Sequence, residues 1–160
     1  MSLEVRAVRT LVERGCDITT AESCTGGLVA AALIDVPGAS KVYKEGYITY
    51  SNEAKEKLLH VSHRTLQNFG AVSPETAKEM AEGCRKAAGS DIGVGITGVA
   101  GPDGGTKDKP VGLVYIGCCC MGNTYVKEFR FRGNRSRVRE SSVAQALNLL
   151  RSAILEETGK

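Results

Sequence analysis

The sequence predicts an α/β fold, a three-layer α/β/α sandwich built on a mixed sheet of about five strands. Segments with the apolar spacing of helices alternate with short β-branched or alternating segments, in the order helix, strand, helix, strand, helices, strand, hairpin, helix. Met121-Gly122-Asn123 separates two strand-like segments and predicts a hairpin, whose strands are antiparallel. The helices between the other strands favour parallel crossovers, so we expect the sheet to be mixed.

The first half of the chain supplies two strands and four helical segments. Gly15 ends the first helix, and Pro37-Gly38 marks a turn after the second. Ser51 and Asn52 follow the second strand as helix-capping residues. The predicted elements are a helix over 3–15, a strand from 18, a helix to about 34, a strand over 46–50, a helix over 53–59 and a helix over 62–69.

The second half begins with a strong helix start at Ser73-Pro74-Glu75, where a capping hydroxyl precedes a proline and a carboxylate. Gly93 and Gly95 leave one face of the following strand bare, so another backbone must approach it closely. The predicted elements are a helix to about 88, a strand over 91–98, a loop over 99–110, strands over 111–120 and 124–131, and a final helix with its apolar stripe between 143 and 154.

Length and composition indicate one soluble domain over residues 1–160. Hydrophobic residues make up 42% of the chain, charged residues 24%, and the net charge is +3, which gives no reason to expect a nucleic-acid partner. No apolar run approaches the roughly 20 residues that span a bilayer, so we expect no membrane partner. The charged N-terminal segment is unlike a signal peptide, and a cytoplasmic location is therefore expected.

The six cysteines indicate small core residues rather than disulfides or ligands. Cys118, Cys119 and Cys120 are consecutive within an apolar run, and no C-x-x-C pair occurs. His60 and His63 are the two histidines of the chain. We therefore expect no metal site and no cofactor.

Residues 19–27, T-T-A-E-S-C-T-G-G, predict the end of a strand, a tight turn and the start of a helix. A helix N-terminus offers unpaired N–H groups and a partial positive charge, and Gly26 and Gly27 would let a ligand approach the backbone. The turn could hold a phosphate or stabilise an oxyanion, and present Ser23 or Cys24 as a nucleophile. The same residue types are also ordinary for a helix cap.

Cations at two predicted helix starts are further candidates. Lys55 falls in or near the first turn of the helix over 53–59, where the helix dipole would lower its pKa if the amine is also desolvated. A group of arginines lies around the start of the final helix, where a bound anion would offset their repulsion from the dipole. In each case a solvated surface is the alternative. The arginines are Arg130, Arg132, Arg135, Arg137 and Arg139.

Three segments together resemble the CinA C-terminal domain family. They are T-T-A-E-S-C-T-G-G at 19–27, G-Y-I-T-Y-S-N-E-A-K at 46–55, and I-T-G-V-A-G-P-D-G-G at 96–105 followed by K-P-V-G at 109–112. The resemblance covers about residues 5–155. Larger members add an N-terminal molybdopterin-binding-like domain, so the chain resembles the stand-alone form, which includes the nicotinamide mononucleotide deamidases.

The resemblance implies hydrolysis of the carboxamide of nicotinamide mononucleotide to nicotinate mononucleotide and ammonia, without metal or cofactor. It implies that Ser23 is the nucleophile, Lys55 its base and Tyr50 a further catalytic residue. Arg139, helped by Arg135 or Arg137, is expected to hold the 5′-phosphate of this small-molecule nucleotide substrate. The substrate-binding residues it implies are Thr25, Gly26, Gly27, Thr97, Gly98, Gly101, Arg135 and Arg139.

A second hypothesis is a non-catalytic partner protein associated with competence or DNA damage, in which Ser23 only caps a helix and Lys55 is solvated. Under either hypothesis we expect a homodimer, because closed two-fold dimers are the commonest soluble oligomers. The apolar strand near 111–120 is expected to leave a surface that two copies could share.

Overall fold

The computed structural model describes residues 1–159 and has the predicted mixed sheet of five strands at its centre. The strands are β1 (Ile18–Glu22), β2 (Tyr47–Ile48), β3 (Ile92–Gly98), β4 (Leu113–Cys120) and β5 (Asn123–Arg130). Their order across the sheet is β2-β1-β3-β4-β5. The strand β1 is parallel to both of its neighbours, whereas β3–β4 and β4–β5 are antiparallel.

Helices cover both faces of the sheet and complete the predicted sandwich. They are α1 (Leu3–Arg14), α2 (Leu28–Ile34), α3 (Asn52–Leu59), α4 (His63–Phe69), α5 (Pro74–Ala88) and α6 (Arg135–Thr158), with a short 3₁₀ turn at Ala39–Lys41. One face packs against α1, α2 and α6, which also contact one another. The other face packs against α5, and α3 and α4 lie against α5 in turn.

The bare face of β3 has the consequence that the sequence predicts. A Cβ added at Gly93 would lie 2.2 Å from the Ala81 carbonyl oxygen, and one added at Gly95 would lie 2.7 Å from the Ala81 nitrogen. Both clashes involve the backbone of α5, so the helix lies directly on the strand. On the opposite face Ile92, Val94 and Ile96 enter the larger core with α1, α2 and α6.

The second strand is shorter than predicted. The segment 46–50 was expected to be extended throughout, but only Tyr47–Ile48 pairs with β1. The Thr49 N–H still bonds the Glu22 carbonyl at 2.9 Å, after which the chain leaves the sheet. Ser51 then caps α3 by accepting the N–H of Ala54. The strand ends early because the chain has to turn into this helix start.

The expectation that segment 111–120 leaves a surface for a second copy is wrong. The strand β4 lies between β3 and β5, and it packs against α5 on one face and α6 on the other. Cys118, Cys119 and Cys120 are buried there as core residues, and all six cysteines are free thiols. The outer strand on this side is β5, so the predicted self-association would need another surface.

Two further properties concern the described residues as a set. No helix within 1–159 is both long and apolar enough to cross a bilayer. Within the same range, no group of three or more His, Cys, Asp or Glu side chains is arranged to hold a metal ion.

The contact between α3 and α5 depends on a missing side chain and gives a stability prediction. Replacing a helical glycine by alanine usually stabilises a helix by about 1 kcal/mol. At Gly83, however, the new Cβ would lie 2.0 Å from the carbonyl oxygen of Leu59 on α3. We therefore expect Gly83→Ala to lower the free energy of unfolding by about 1–3 kcal/mol, as overpacking does.

Urea unfolding of this variant tests the prediction. Ala87→Gly, at an exposed position of the same helix, is the control and should lose only the helix-propensity difference of about 1 kcal/mol. A Gly83→Ala protein as stable as the native chain would contradict the close approach of α3 and α5.

Candidate active site

The candidate site lies where β1 and β3 end. The two strands are adjacent and parallel, so their carboxyl ends meet at one edge of the sheet. Beyond β1 the chain forms the turn 23–27, and beyond β3 it forms the loop 99–112. Between them is a cavity of about 290 Å³, near the lower end of small-molecule sites, roughly 300–1,000 Å³. Its lining comprises Ser23, Cys24, Tyr50, Lys55, Ala71, Val72, Thr97, Gly98, Val99, Ala100, Gly101, Asp103, Gly104 and Arg135.

Ser23 and Lys55 meet at the floor of this cavity. Lys55 Nζ lies 3.0 Å from Ser23 Oγ and donates to the carbonyl oxygen of Thr49 at 2.7 Å. Lys55 is only 1% exposed and is one of the largest fully buried side chains in the protein. The turn after β1 and the first turns of α3 therefore bring together the two residues that the sequence proposed as nucleophile and base.

Burial lowers the pKa of the Lys55 amine to about 8 from an ordinary value of 10.5, and the nearby Cys24 thiol partly opposes this shift. The cause is desolvation, which disfavours the charged ammonium. About one tenth of amines with this pKa are neutral at pH 7 and about half at pH 8, and the neutral amine is the form that acts as a base. It can then accept a proton from the hydroxyl at 3.0 Å.

Cys24 is also at the cavity wall, but its thiol is poorly suited to attack. The residue is 5% exposed and belongs to the core that includes α6. Burial raises the pKa of the Cys24 thiol to about 11. Because the thiolate is the nucleophilic form, this environment disfavours Cys24 and favours Ser23.

Glu22 carries a role that the sequence patterns did not indicate. Its buried carboxylate accepts the N–H groups of Gly27 at 3.2 Å, Val29 at 2.9 Å and Ala30 at 3.0 Å. The turn is predicted to hold a phosphate or stabilise an oxyanion, and Glu22 already occupies its donors at Gly27, Val29 and Ala30. The earlier N–H groups of the turn are therefore the ones left for that role. A carboxylate just before a helix start was the available signal.

Gly26 and Gly27 were expected to let a ligand approach, but neither lines the cavity. Their backbones adopt φ of +55° and +105°, which explains the need for glycine. A Cβ at Gly26 would face the Arg139 guanidinium, and one at Gly27 would face Ile48. Both glycines therefore shape the turn without lining the cavity.

Two backbone N–H groups of the same turn form no hydrogen bond with another residue of the described chain. The N–H groups of Cys24 and Thr25 donate to no other residue among positions 1–159. The Ser23 N–H donates to the Ile96 carbonyl at 3.0 Å, and the Gly26 N–H donates to the Ser23 carbonyl at 3.1 Å. Thr25 is fully buried, and its hydroxyl has no hydrogen-bond partner within the described chain.

The three arginines at the start of the final helix lie in different places and have different contacts. Arg139 is half-buried, does not line the cavity, and donates Nε to the Cys24 carbonyl at 3.0 Å and Nη2 to the Thr25 carbonyl at 3.2 Å. Arg137 lies at a separate surface cavity with Glu140. Arg135 is the arginine that lines the cavity, whereas Arg139, which the sequence predicts as the principal phosphate-binding side chain, does not.

Arg135 and Tyr50 face each other across the cavity mouth. Arg135 Nη1 donates to the Gly101 carbonyl at 2.8 Å, and its Nη2 donates to the Tyr50 hydroxyl at 3.1 Å. Both residues are exposed. The pair joins the loop after β2 to the loop after β3, and the remaining guanidinium N–H groups are available to an anion.

Three predicted residues at the end of β3 line the opposite wall. Thr97 donates its hydroxyl to the Ala71 carbonyl at 2.8 Å and thereby holds the 70–72 segment at the cavity. At Gly98 an added Cβ would meet Val114 at 2.6 Å, and at Gly101 it would meet Val111 at 2.5 Å. The 70–72 segment was not predicted as part of the site, because it becomes adjacent only through the packing of α4 and α5.

The buried amine gives a prediction for stability against pH. Below pH 8 Lys55 is protonated in the folded and unfolded states alike, and the folded state bears the cost of a buried ammonium. Between 8 and 10.5 only the unfolded lysine holds the proton, so stability rises with pH. Relative to Lys55→Met, the native chain should gain about 3 kcal/mol across this window.

Urea unfolding at a series of pH values gives the free energy of unfolding of the native chain and of Lys55→Met. Groups that titrate in both proteins cancel in the difference between the two values. Lys57→Met, on the same helix at an exposed position, is the matched control and should show no such trend. Parallel curves for the native chain and Lys55→Met would contradict a lowered lysine pKa.

Comparison with known proteins places this chain in a wider group. The family model for the CinA C-terminal domain matches residues 1–154. A curated protein of Clostridium novyi (strain NT) is 54% identical over 157 residues, which are 98% of this chain and 38% of that protein. A "CinA-like protein" of Kosmotoga olearia is 54% identical over 96% of this chain and 37% of that protein. The chain thus spans less than two fifths of the length of these relatives.

Solved structures agree over almost the whole fold. The competence/damage inducible protein CihA from Agrobacterium tumefaciens superposes with a TM-score of 0.92 at 40% identity, covering 94% of this chain and 93% of that one. A CinA superfamily protein from Klebsiella pneumoniae superposes with a TM-score of 0.93 at 38% identity, covering 96% of each. The family match, the relatives and the shared fold lead to one conclusion: this chain belongs to the CinA C-terminal domain family.

Proposed function

We propose that this site hydrolyses the carboxamide of nicotinamide mononucleotide, giving nicotinate mononucleotide and ammonia. The observation that carries the proposal is the buried Lys55 amine 3.0 Å from the Ser23 hydroxyl in a cavity of small-molecule size. A serine with a neutral lysine as its base is an established arrangement for acyl transfer. The choice of an amide of this nucleotide rests on the resemblance of the three sequence segments.

In the first step Ser23 Oγ attacks the carboxamide carbon while Lys55 Nζ takes the hydroxyl proton. The carbonyl oxygen becomes an oxyanion, which we assign to the backbone N–H of Cys24, a residue that lines the cavity beside Ser23. Collapse of the tetrahedral intermediate breaks the C–N bond. Lys55 returns the proton to the leaving nitrogen, so ammonia departs and a nicotinoyl ester remains on Ser23.

In the second step a water molecule attacks the ester carbon and Lys55 takes a proton from it. The C–O bond to Ser23 breaks, the proton returns to the serine oxygen, and the acid leaves as its carboxylate after releasing its remaining proton to solvent. The Thr49 carbonyl supports both steps because it accepts one Lys55 N–H at 2.7 Å and fixes the direction of the amine. Residues of the chain alone perform each proton transfer in this scheme.

The phosphate of the substrate requires a cation near the cavity, and Arg135 meets this requirement. It lines the cavity and still has free N–H groups after bonding Gly101 and Tyr50. Its planar guanidinium suits a phosphate because it can donate two parallel hydrogen bonds. We propose that Tyr50 orients Arg135, and that Arg139 and Arg137 do not bind the phosphate.

A non-catalytic role associated with competence remains the alternative, in line with names such as that of the Agrobacterium tumefaciens structure. That role gives no reason for a buried lysine beside a serine. Within residues 1–159 the hydrogen-bond partners of Lys55 are a carbonyl and a hydroxyl, so its burial costs stability, and such a cost is typical of residues retained for chemistry. Ammonia release from the nucleotide separates the two hypotheses directly.

Substitution of the two reacting residues tests the proposed chemistry. Ser23→Ala and Lys55→Met should each lower the rate of ammonia release from nicotinamide mononucleotide by at least about 1,000-fold, because each removes a reacting group. Cys24→Ala is the matched control at the adjacent position and should retain most of the activity. A fast Ser23→Ala enzyme with an inactive Cys24→Ala enzyme would instead identify the thiol as nucleophile.

Comparison of two substrates tests the role of Arg135. A charge-assisted hydrogen bond contributes about 1.5–3 kcal/mol, so Arg135→Gln should lower kcat/KM for the nucleotide by about 10- to 150-fold. Nicotinamide riboside lacks the phosphate and should be affected far less. Arg137→Gln, two residues away and outside the cavity, should change neither value, and equal losses on both substrates with Arg135→Gln would contradict a phosphate contact.

A further inference from the structure

The turn that carries Ser23 is held along both of its polar edges by charged side chains of opposite sign. Glu22 precedes the turn and binds N–H groups on its far side, at Gly27, Val29 and Ala30, over 2.9–3.2 Å. Arg139 reaches the turn from α6 and binds the carbonyls of Cys24 and Thr25. We refer to Glu22 and Arg139 together as the turn clamp.

The chemistry of the two side chains matches these edges. A carboxylate has only acceptors and a guanidinium only donors. Glu22 is 1% exposed, so water does not take over its three bonds. Arg139 is half-buried, and its fork spans two successive carbonyls, which a lysine ammonium does not reproduce.

Arg139 also fixes donors that it does not touch. In a trans peptide the carbonyl and the N–H of the next residue point in opposite directions within one plane. Binding the Cys24 carbonyl therefore sets the direction of the Thr25 N–H. Binding the Thr25 carbonyl sets the Gly26 N–H, which closes the turn on the Ser23 carbonyl at 3.1 Å.

We propose that Glu22 and Arg139 are positioning residues for catalysis by Ser23, and that neither contacts the substrate. The turn clamp holds the backbone so that Ser23 Oγ stays at Lys55 and the backbone of Cys24 keeps its place at the cavity wall. Glu22 also fills the N-terminus of α2, which keeps the substrate phosphate away from it. The kinetic part of this inference rests on the proposed function, whereas the structural part does not.

Chemical rescue tests the carboxylate half without any enzyme assay. Glu22→Ala removes a buried carboxylate and leaves three N–H groups without an acceptor, so its Tm should fall well below that of the native chain. Sodium formate, a carboxylate small enough for the vacated space, should raise the Tm of this variant more than sodium chloride at equal ionic strength. The native chain should respond equally to both salts.

Equal effects of formate and chloride on the variant would overturn the role of Glu22 as acceptor. Should Glu22→Ala fail to fold, Glu22→Gln provides the same test in a milder form. The amide keeps one oxygen for Gly27 and Val29 but turns an NH₂ group toward the Ala30 N–H. The Tm of Glu22→Gln should be lower than that of the native chain, and an unchanged Tm would contradict the proposal.

Kinetics on two substrates tests the positioning role of Arg139. Displacement of a reacting group by about 1 Å can cost about 100-fold in rate, so Arg139→Lys should lower kcat by about 10- to 100-fold. The loss should be the same for nicotinamide mononucleotide and nicotinamide riboside, with KM nearly unchanged. A loss confined to the nucleotide, or seen mainly in KM, would overturn the proposal in favour of a phosphate contact.

A stability-matched control separates positioning from general destabilisation. Leu11→Ala on α1 removes a fully buried side chain that does not line the candidate cavity. It should lower Tm while leaving kcat unchanged at temperatures where the protein is folded. A kcat loss in Leu11→Ala as large as that in Arg139→Lys would contradict a specific role for the turn clamp.

Failure of the proposed function would look different from failure of this inference. If the native chain releases no ammonia from either substrate, the proposed function is wrong, yet formate rescue of Glu22→Ala still decides the carboxylate half. If the native chain is active and formate restores both Tm and kcat of Glu22→Ala, both proposals are supported. Activity in the native chain without any rescue would leave the function intact and overturn the role of Glu22.

Discussion

The burial of the Lys55 amine against the Ser23 hydroxyl is the interaction on which the rest of the site depends. Lys55 is placed by α3, and α3 is placed by its contact with α5 at Gly83, where a single added carbon would meet the Leu59 carbonyl at 2.0 Å. Ser23 is placed by the end of β1 in the middle of the sheet. The contact of 3.0 Å between Lys55 Nζ and Ser23 Oγ therefore connects the sheet to the helices on one of its faces.

A buried lysine opposes the stability of the fold that holds it. Its only polar contacts in the described chain are a carbonyl and a hydroxyl, and neither supplies a compensating negative charge. Desolvation therefore appears as a lowered pKa, which makes the amine a useful base near neutral pH. The remaining side chains around the turn have the opposite character, because Glu22 and Arg139 bind backbone groups of opposite polarity and stiffen the turn.

Local sequence patterns were sufficient for most of the fold, whereas the proposed reacting pair was indicated by the resemblance of three segments to a known family. The bare face of β3 predicted the close approach of α5, since glycines in a strand are informative about a neighbour. Ser23 and Lys55 stood within long motifs at helix starts. The length of β2 was overestimated, because residue type favours a strand at 46–50 while the cap of α3 ends it after Ile48.

The roles of Glu22 and Arg139 could not be predicted in the same way. Arg139 bonds residues 115 and 114 positions earlier in the chain, and no local pattern specifies such a contact. Glu22 lies inside a predicted motif, but a carboxylate at that position is equally compatible with catalysis, substrate binding or a cap. The choice depends on whether α2 turns its first N–H groups back toward β1, which is a property of the packed turn and not of residue types.

The most direct test of the account is the titration of Lys55 itself. In protein labelled with ¹³C-lysine, the Cε resonance that disappears in Lys55→Met can be followed from neutral to alkaline pH by NMR. The account predicts a pKa of about 8 for this resonance, below the ordinary lysine value of 10.5. Titration of Lys55 at the ordinary value would show an amine that is fully protonated at neutral pH, and would contradict its role as the base for Ser23.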